Sequence, residues 1–168
     1  MDRFASLVDK AARSRFYLWL LNRLLLRKVP FNAPHYITVT KIAPGRVEAL
    51  LPYRKQNLNH IKGIHACALA TLCEYVSGLS LTTALPGNRF RIIMKSIRME
   101  YLYQARMDVS ATAQADQRIL NDQIIIPLES ADSGEFMHEV PVSDISGNHI
   151  CTATVLWQFK KWEKVRTQ

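Results

Sequence analysis

The sequence predicts an α+β domain in which one antiparallel sheet wraps around a single long, buried helix, with an extra helix at the N-terminus. Three observations carry this. From Gly63 to Asn88 the chain is apolar or small around the whole helical circumference, uninterrupted by proline until Pro86, and Glu74 is its only side chain with a fixed charge. Segments before and after it alternate with period two, as strands that bury one face do. Two strands precede the helix and four follow, and a helix hydrophobic on nearly all sides has to be surrounded by other elements.

The elements follow in order. Residues 1–28 hold neither Gly nor Pro and stop at Val29-Pro30, so they read as one long or slightly broken helix. Phe4, Leu7, Val8, Ala11 and Ala12 recur at helical spacing, and Phe16 to Leu21 is apolar all round. Asn22 and Arg23 end that run after six residues, too few to span a bilayer. The run lacks the small-residue cleavage site of a signal peptide. A helix packed on the domain or on a neighbouring subunit is one reading, and a basic amphipathic helix at a membrane surface is the other.

Ile37 and Val39, then Val47, Ala49, Leu51 and Tyr53, alternate with polar residues around the turn Ala43-Pro44-Gly45, which is a hairpin. The polar loop 54–63 leads into the buried helix, with Pro86-Gly87 as its stop. A strand runs from Phe90 to about Gln104, and another carries Met107, Val109, Ala111 and Ala113 on one face. Asp116 caps a short helix holding Ile119, Leu120 and Ile124 that ends near Pro127. Strands at about 135–143 and 148–160 complete the sheet, with Cys151, Ala153, Val155, Trp157 and Phe159 on one face. The expected division is a helical extension over 1–30, the sheet-and-helix domain over 31–162, and a basic tail over 163–168.

At 168 residues the chain buries about 70% of its unfolded surface and needs no staples. Cys67, Cys73 and Cys151 are odd in number and lie in apolar settings, so they read as reduced core residues of a cytoplasmic protein. The Cys and His spacings match no metal site. The net charge of +8 sits at the ends, +5 in residues 1–28 and +3 in residues 160–168, leaving the body neutral. A nucleic-acid face would involve the body as well, so none is expected.

Glu74 has two readings. It is a structural carboxylate paired with an arginine or hydrogen-bonded to a strand, or it is a catalytic base or nucleophile whose pKa burial raises. Asn59 in the loop, His65 at the helix start, Ala66 directly after it, and Glu74 nine residues beyond the His form the pattern that decides the family resemblance. In these positions the chain resembles acyl-CoA thioesterases of the hot-dog fold, the PaaI-like group and the related DUF4442 family, over about residues 33–160. Where those proteins usually carry Gly after the His, this chain has Ala66-Cys67, whose methyl group narrows the approach to the backbone.

The resemblance implies a thioesterase acting on a coenzyme A thioester, with coenzyme A only as part of the substrate and no further cofactor. It also implies sites shared across a homodimer, or a dimer of dimers. The chemistry agrees: the first N-H groups of a helix have no intrahelical partner and suit a developing oxyanion. Glu74 lies nine residues further on, about 13 Å at helical rise, so a partner subunit has to bring its own Glu74 to that point. Asn59 then orients the water or the carbonyl. His65 is read as a hydrogen-bonding helix start, and Gly63 as part of the approach. Tyr101 and Tyr103 read as core residues of the long strand, although by resemblance Tyr103 falls near the acyl pocket. Lys95, Arg98 and Arg106 either pair with Glu100 and Asp108 or meet the phosphates of coenzyme A. Two other functions stay open: a hot-dog dehydratase using His60 with Glu74, fourteen residues apart, and an acyl-binding protein without turnover.

Overall fold

The structure, a computed structural model, describes residues 3–85 and 89–165. Its six strands are β1 (Thr38–Ala43), β2 (Arg46–Leu51), β3 (Phe90–Tyr101), β4 (Val109–Gln114), β5 (Ser133–Asp144) and β6 (His149–Lys161). They form one antiparallel sheet in the order β1-β2-β4-β5-β6-β3. The long strands β3, β5 and β6 pair over most of their lengths, whereas β4 and β5 pair only from Val109–Asp144 to Ala111–Val142. The expected face of β6 is the inner one, with Cys151, Ala153, Val155 and Phe159 fully buried and Trp157 nearly so.

The buried helix, α3 (Ala66–Ala84), packs on β2, β3, β4, β5 and β6. Its expected stop at Pro86-Gly87 lies outside the described residues. One feature differs from the sequence expectation. The helix is not covered all round: Ala66, Ala70, Glu74, Gly78 and Thr82, spaced four apart, are half-buried or exposed and form a continuous open row. Residues four apart share one helix face, so the row is a stripe the single chain leaves only partly covered, with the Trp157 ring over Gly78.

Beside this row, α3 is fixed by a buried polar chain. Trp157 Nε1 donates to Ser77 Oγ at 2.7 Å, Ser77 Oγ meets His138 Nδ1 at 3.1 Å, and His138 Nε2 meets the Gln114 carbonyl at 3.0 Å. The carbonyl can only accept, so Nε2 carries the proton and Ser77 donates to Nδ1. Burial holds the pKa of His138 below its ordinary value and keeps the ring neutral. Gly78 lies under the Trp157 ring, where a Cβ would come within 2.9 Å of the indole.

The N-terminal segment is two helices, α1 (Arg3–Ala11) and α2 (Arg15–Lys28), broken at residues 12–14. Leu21 and Leu25 of α2 are buried, and Asn22 reaches the outer edge of β1. Its Nδ2 donates to the Val39 carbonyl at 2.9 Å and its Oδ1 accepts from the Val39 N-H at 2.8 Å. One amide side chain thus replaces a neighbouring strand at that residue. At the opposite edge, β3 has no strand beyond it among the described residues, and its residues from Ile93 to Ser96 are exposed.

The insertion after β4 starts as expected, with Asp116 Oδ1 accepting from the N-H of Arg118 and of Ile119. Helix α4 (Gln117–Leu120) runs into a π-helical turn (Asn121–Ile125) and a 3₁₀ turn (Pro127–Glu129). Leu120, Ile124 and Leu128 plug the core from this side, while Ile119 is exposed. Strands β3 and β4 are shorter than the alternation implied, since the chain leaves the sheet at Leu102 and rejoins it at Val109.

Candidate active site

The start of α3 is held by its surroundings before any ligand is considered. Asn57, which is buried, donates its Nδ2 to the carbonyls of His35 and Pro52, and its Oδ1 lies 3.0 Å from His35 Nδ1. Its own carbonyl accepts the N-H of His65 at 2.7 Å. Ile64 N-H donates to the Ala105 carbonyl, which ties the helix start to the chain between β3 and β4. His65 caps the helix: its Nδ1 accepts from Cys67 N-H at 3.0 Å, and its carbonyl accepts from Ala68 and Leu69. The imidazole therefore carries its proton on Nε2 and serves as a cap, the hydrogen-bonding role read from the sequence.

These bonds leave one donor over. The N-H groups of Ile64, His65, Cys67 and Ala68 all have acceptors, whereas the N-H of Ala66 has none among the described residues. Ala66 lines a cleft of 330 Å³ together with Asn59, Leu69, Tyr101, Tyr103 and Gln104. Tyr101 donates its hydroxyl to the Ala66 carbonyl at 3.1 Å, fixing the peptide that follows. Both tyrosines are exposed on this cleft, which corrects the expectation of core packing: β3 ends at Tyr101, so the alternation that would turn Tyr103 inward is lost.

Asn59 forms the loop that borders the cleft. Its Oδ1 accepts from the N-H of Ile61 at 3.1 Å and of Gly63 at 3.0 Å, and its Nδ2 has no acceptor among the described residues. Gly63 is buried, and a Cβ there would come within 2.7 Å of the Gln104 side chain. Lys62 takes a positive φ of 60° and its carbonyl accepts from the Tyr53 hydroxyl. His60 is exposed at the tip of this loop and makes no hydrogen bond among the described residues.

Glu74 is half-buried in the middle of the open row, and its carboxylate has no hydrogen bond or ion pair among the described residues. The reading of Glu74 as a carboxylate paired with an arginine therefore finds no support within one chain. Burial pushes its pKa above the ordinary carboxylate value. Ala66 and Glu74 are eight residues apart on one face, about 12 Å. The structure brings Asn59, Ala66 and Tyr103 into one cleft and leaves Glu74 at a distance along the same row.

The three cations are placed less centrally. Lys95 pairs with Glu135 at 2.6 Å and Arg98 with Glu100 at 2.9 Å, all four exposed. Arg106 donates to Gln104 Oε1 at 3.1 Å, beside the cleft. Asp108 accepts from Tyr53 N-H. Of the cysteines, Cys73 and Cys151 are buried as expected, but Cys67 is exposed in the first turn of α3. Sequence reasoning missed Asn57 and Gln104 and read Tyr101 as core. It also missed the row itself, whose signal was in view: small residues at 66, 70 and 78 flank Glu74 at spacings of four.

Several solved structures resemble this one. A Pseudomonas aeruginosa protein of unknown function, named as a probable thioesterase, superposes with a TM-score of 0.78 at 24% identity, covering 84% of this chain and 94% of the other. A thioesterase from Haemophilus influenzae gives 0.66 at 14% identity, covering 90% and 95%. A Chlorobaculum tepidum protein of unknown function gives 0.71 at 12%, covering 90% and 99%. At these identities the likeness establishes the fold, which is the hot-dog fold. Comparison with curated proteins found no match. The model of one family, described as a domain of unknown function (DUF4442), matches residues 18–159 and so takes in most of α2 as well as the sheet and α3. The chain belongs to the DUF4442 family.

Proposed function

We propose that the protein is an acyl-CoA thioesterase whose active sites form between two copies of the chain. The observation that carries this is Glu74, a half-buried carboxylate with a raised pKa and no partner among the described residues. A partnerless carboxylate in that setting weakens the fold and suits proton transfer near neutral pH. The unpaired Ala66 N-H on the cleft is the complementary half, a fixed donor where an oxyanion forms. The thioesterase names carried by similar structures support the same chemistry.

In this reaction the thioester carbonyl lies on the Ala66 N-H of one subunit, within reach of Glu74 of the other. Glu74 takes a proton from water as the water oxygen bonds to the carbonyl carbon, and the carbonyl oxygen becomes an oxyanion held by the N-H. The C–S bond then breaks, and the sulfur leaves with the proton as the coenzyme A thiol. The alternative, direct addition of Glu74 to the carbonyl carbon, uses the same geometry; the raised pKa favours the base. The Nδ2 of Asn59 is placed to orient the water or the carbonyl. Tyr103 lines the entrance and Arg106 lies beside it, where phosphate groups of coenzyme A would pass.

Two-fold symmetry fixes the meeting point. If Ala66 of one helix faces Glu74 of the other, antiparallel copies of the row cross at Ala70, midway between them. Alanine there lets the helices approach closely. The exposed outer edge of β3 gives the dimer a second contact, strand against strand. His60 is exposed and unbonded at a loop tip, so nothing in the site favours the dehydratase reading.

The test is release of free thiol from short-chain, aromatic and long-chain acyl-CoA esters by the native protein and by Glu74→Gln. Long chains belong in the panel because the row ends, by Thr82, at a second cavity of 330 Å³ lined by Phe4, Val8, Pro44 and Leu85. Hydrolysis by the native protein with a loss of at least about a hundredfold in a folded Glu74→Gln supports the assignment. No cleavage of any ester, or an equally active variant, overturns it in favour of a structural Glu74 or an acyl-binding protein.

A further inference from the structure

Helix α2 has two apolar faces, and only one is used. Leu21 and Leu25 are buried and face β1 with Asn22, while Phe16 is 64% exposed, Trp19 56% and Leu24 39%. Phe16 and Trp19, three residues apart, lie together on the outward side, Leu24 borders that side farther round the helix, and Phe31 just beyond the helix is 70% exposed. Arg15, Arg23, Arg27 and Lys28 stand among them, all exposed and without an ion pair among the described residues, and α2 contains no acidic residue. Arg23 stacks over Trp19 and Phe16 stacks on Trp19, so the rings and the cations form one surface. Next to it a notch of 420 Å³ opens between α1 and α2, bordered by Lys10, Arg13 and Tyr17, with Asp9 at its wall.

We propose that this face docks on the surface of an anionic lipid bilayer. Aromatic rings and leucine insert between headgroups while flanking arginines and lysines meet the lipid phosphates. Charge decides between occupants. A second copy related by a two-fold axis would set Arg23, Arg27 and Lys28 against themselves. A polyanion alone would not require Leu24 and Phe31 to be bare. No described helix is long and apolar enough to cross a membrane, so the contact is peripheral. The inference does not depend on the reaction at Glu74.

Co-sedimentation of the full chain with vesicles tests it, using phosphatidylcholine alone and phosphatidylcholine mixed with phosphatidylserine. Binding is expected to the anionic vesicles and to weaken with salt. Replacing both Arg23 and Arg27 by Gln is expected to weaken it roughly thirty-fold, from about fivefold per cation. Trp19→Ala is expected to weaken it about tenfold. All three side chains are exposed, so thermal melts of the variants should match the native protein, which keeps lost binding distinct from lost folding. Failure to bind either vesicle overturns the proposal, as does equal binding to both or unchanged binding by the variants. So does self-association, or single-stranded nucleic-acid binding, that Trp19→Ala abolishes while vesicle binding persists.

Discussion

A carboxylate without a partner among the described residues, half-buried on a helix built from alanine, leucine, serine and threonine, destabilises the native chain at neutral pH. Burial raises the pKa of Glu74 in the folded state above its unfolded value, so the native chain holds that proton more tightly. Wild-type stability therefore falls as pH rises through the interval above the ordinary carboxyl range. Glu74→Gln removes the titration: its melting temperature is expected to exceed that of the wild type at pH 7–8, and the gain to vanish below about pH 4, where both states of the wild type are protonated. Circular-dichroism melts across this range check it, and a variant less stable than wild type at neutral pH would mean that Glu74 is held by favourable contacts. Ala66 allows an equally local test. Proline is tolerated at the first helical position and His65 already has the extended backbone a following proline requires, with φ −66° and ψ 138°. Ala66→Pro thus deletes the N-H and keeps the helix, and thiol release is expected to fall about a hundredfold or more, while Ala66→Gly keeps its activity.

Helix α2 shows how one side chain finishes a sheet. Asn22→Ala leaves the N-H and carbonyl of buried Val39 without partners, and the expected loss is about 1–3 kcal/mol in urea unfolding, with the slope unchanged. This device was not legible in the sequence. There Asn22 registers only as a polar residue ending an apolar run, because its partner is seventeen residues away and known only once the strand is placed. The strands were legible, since period-two burial is written directly into Val39, Ala49, Ala111, Val140 and Val155. So was α3, from its length and its lone charge. The order in which strands neighbour one another was not, because β3 pairs with β6 across a sequence gap that no local pattern encodes. The loop residues Asn59 and His65 could be matched to a motif, but their bonds to Gly63 and Cys67 needed coordinates. Of the two readings of Tyr103, core packing failed because a strand's last residue depends on its partner's pairing, and Tyr101 is the last to face a β6 residue, Cys151.

As an assembly, the proposed dimer has a defined mass and a defined centre. Light scattering is expected to give twice 19.2 kDa, independent of concentration over the working range. Ala70→Cys places a thiol where the two rows cross, so mild oxidation should yield a covalent dimer on a non-reducing gel, whereas a cysteine at Thr82, far from the crossing, should not link. A monomer in solution would rule out the shared site. The two edges of the sheet differ in a way that bears on the limit of such assembly. Val39's pairing groups are already taken by Asn22, while β3 is free. Each chain thus has a strand-pairing valence of one, and growth by edge addition ends at two copies. A chain deprived of α2 would have a valence of two, and the edge pairing proposed to close a dimer would propagate into linear fibres.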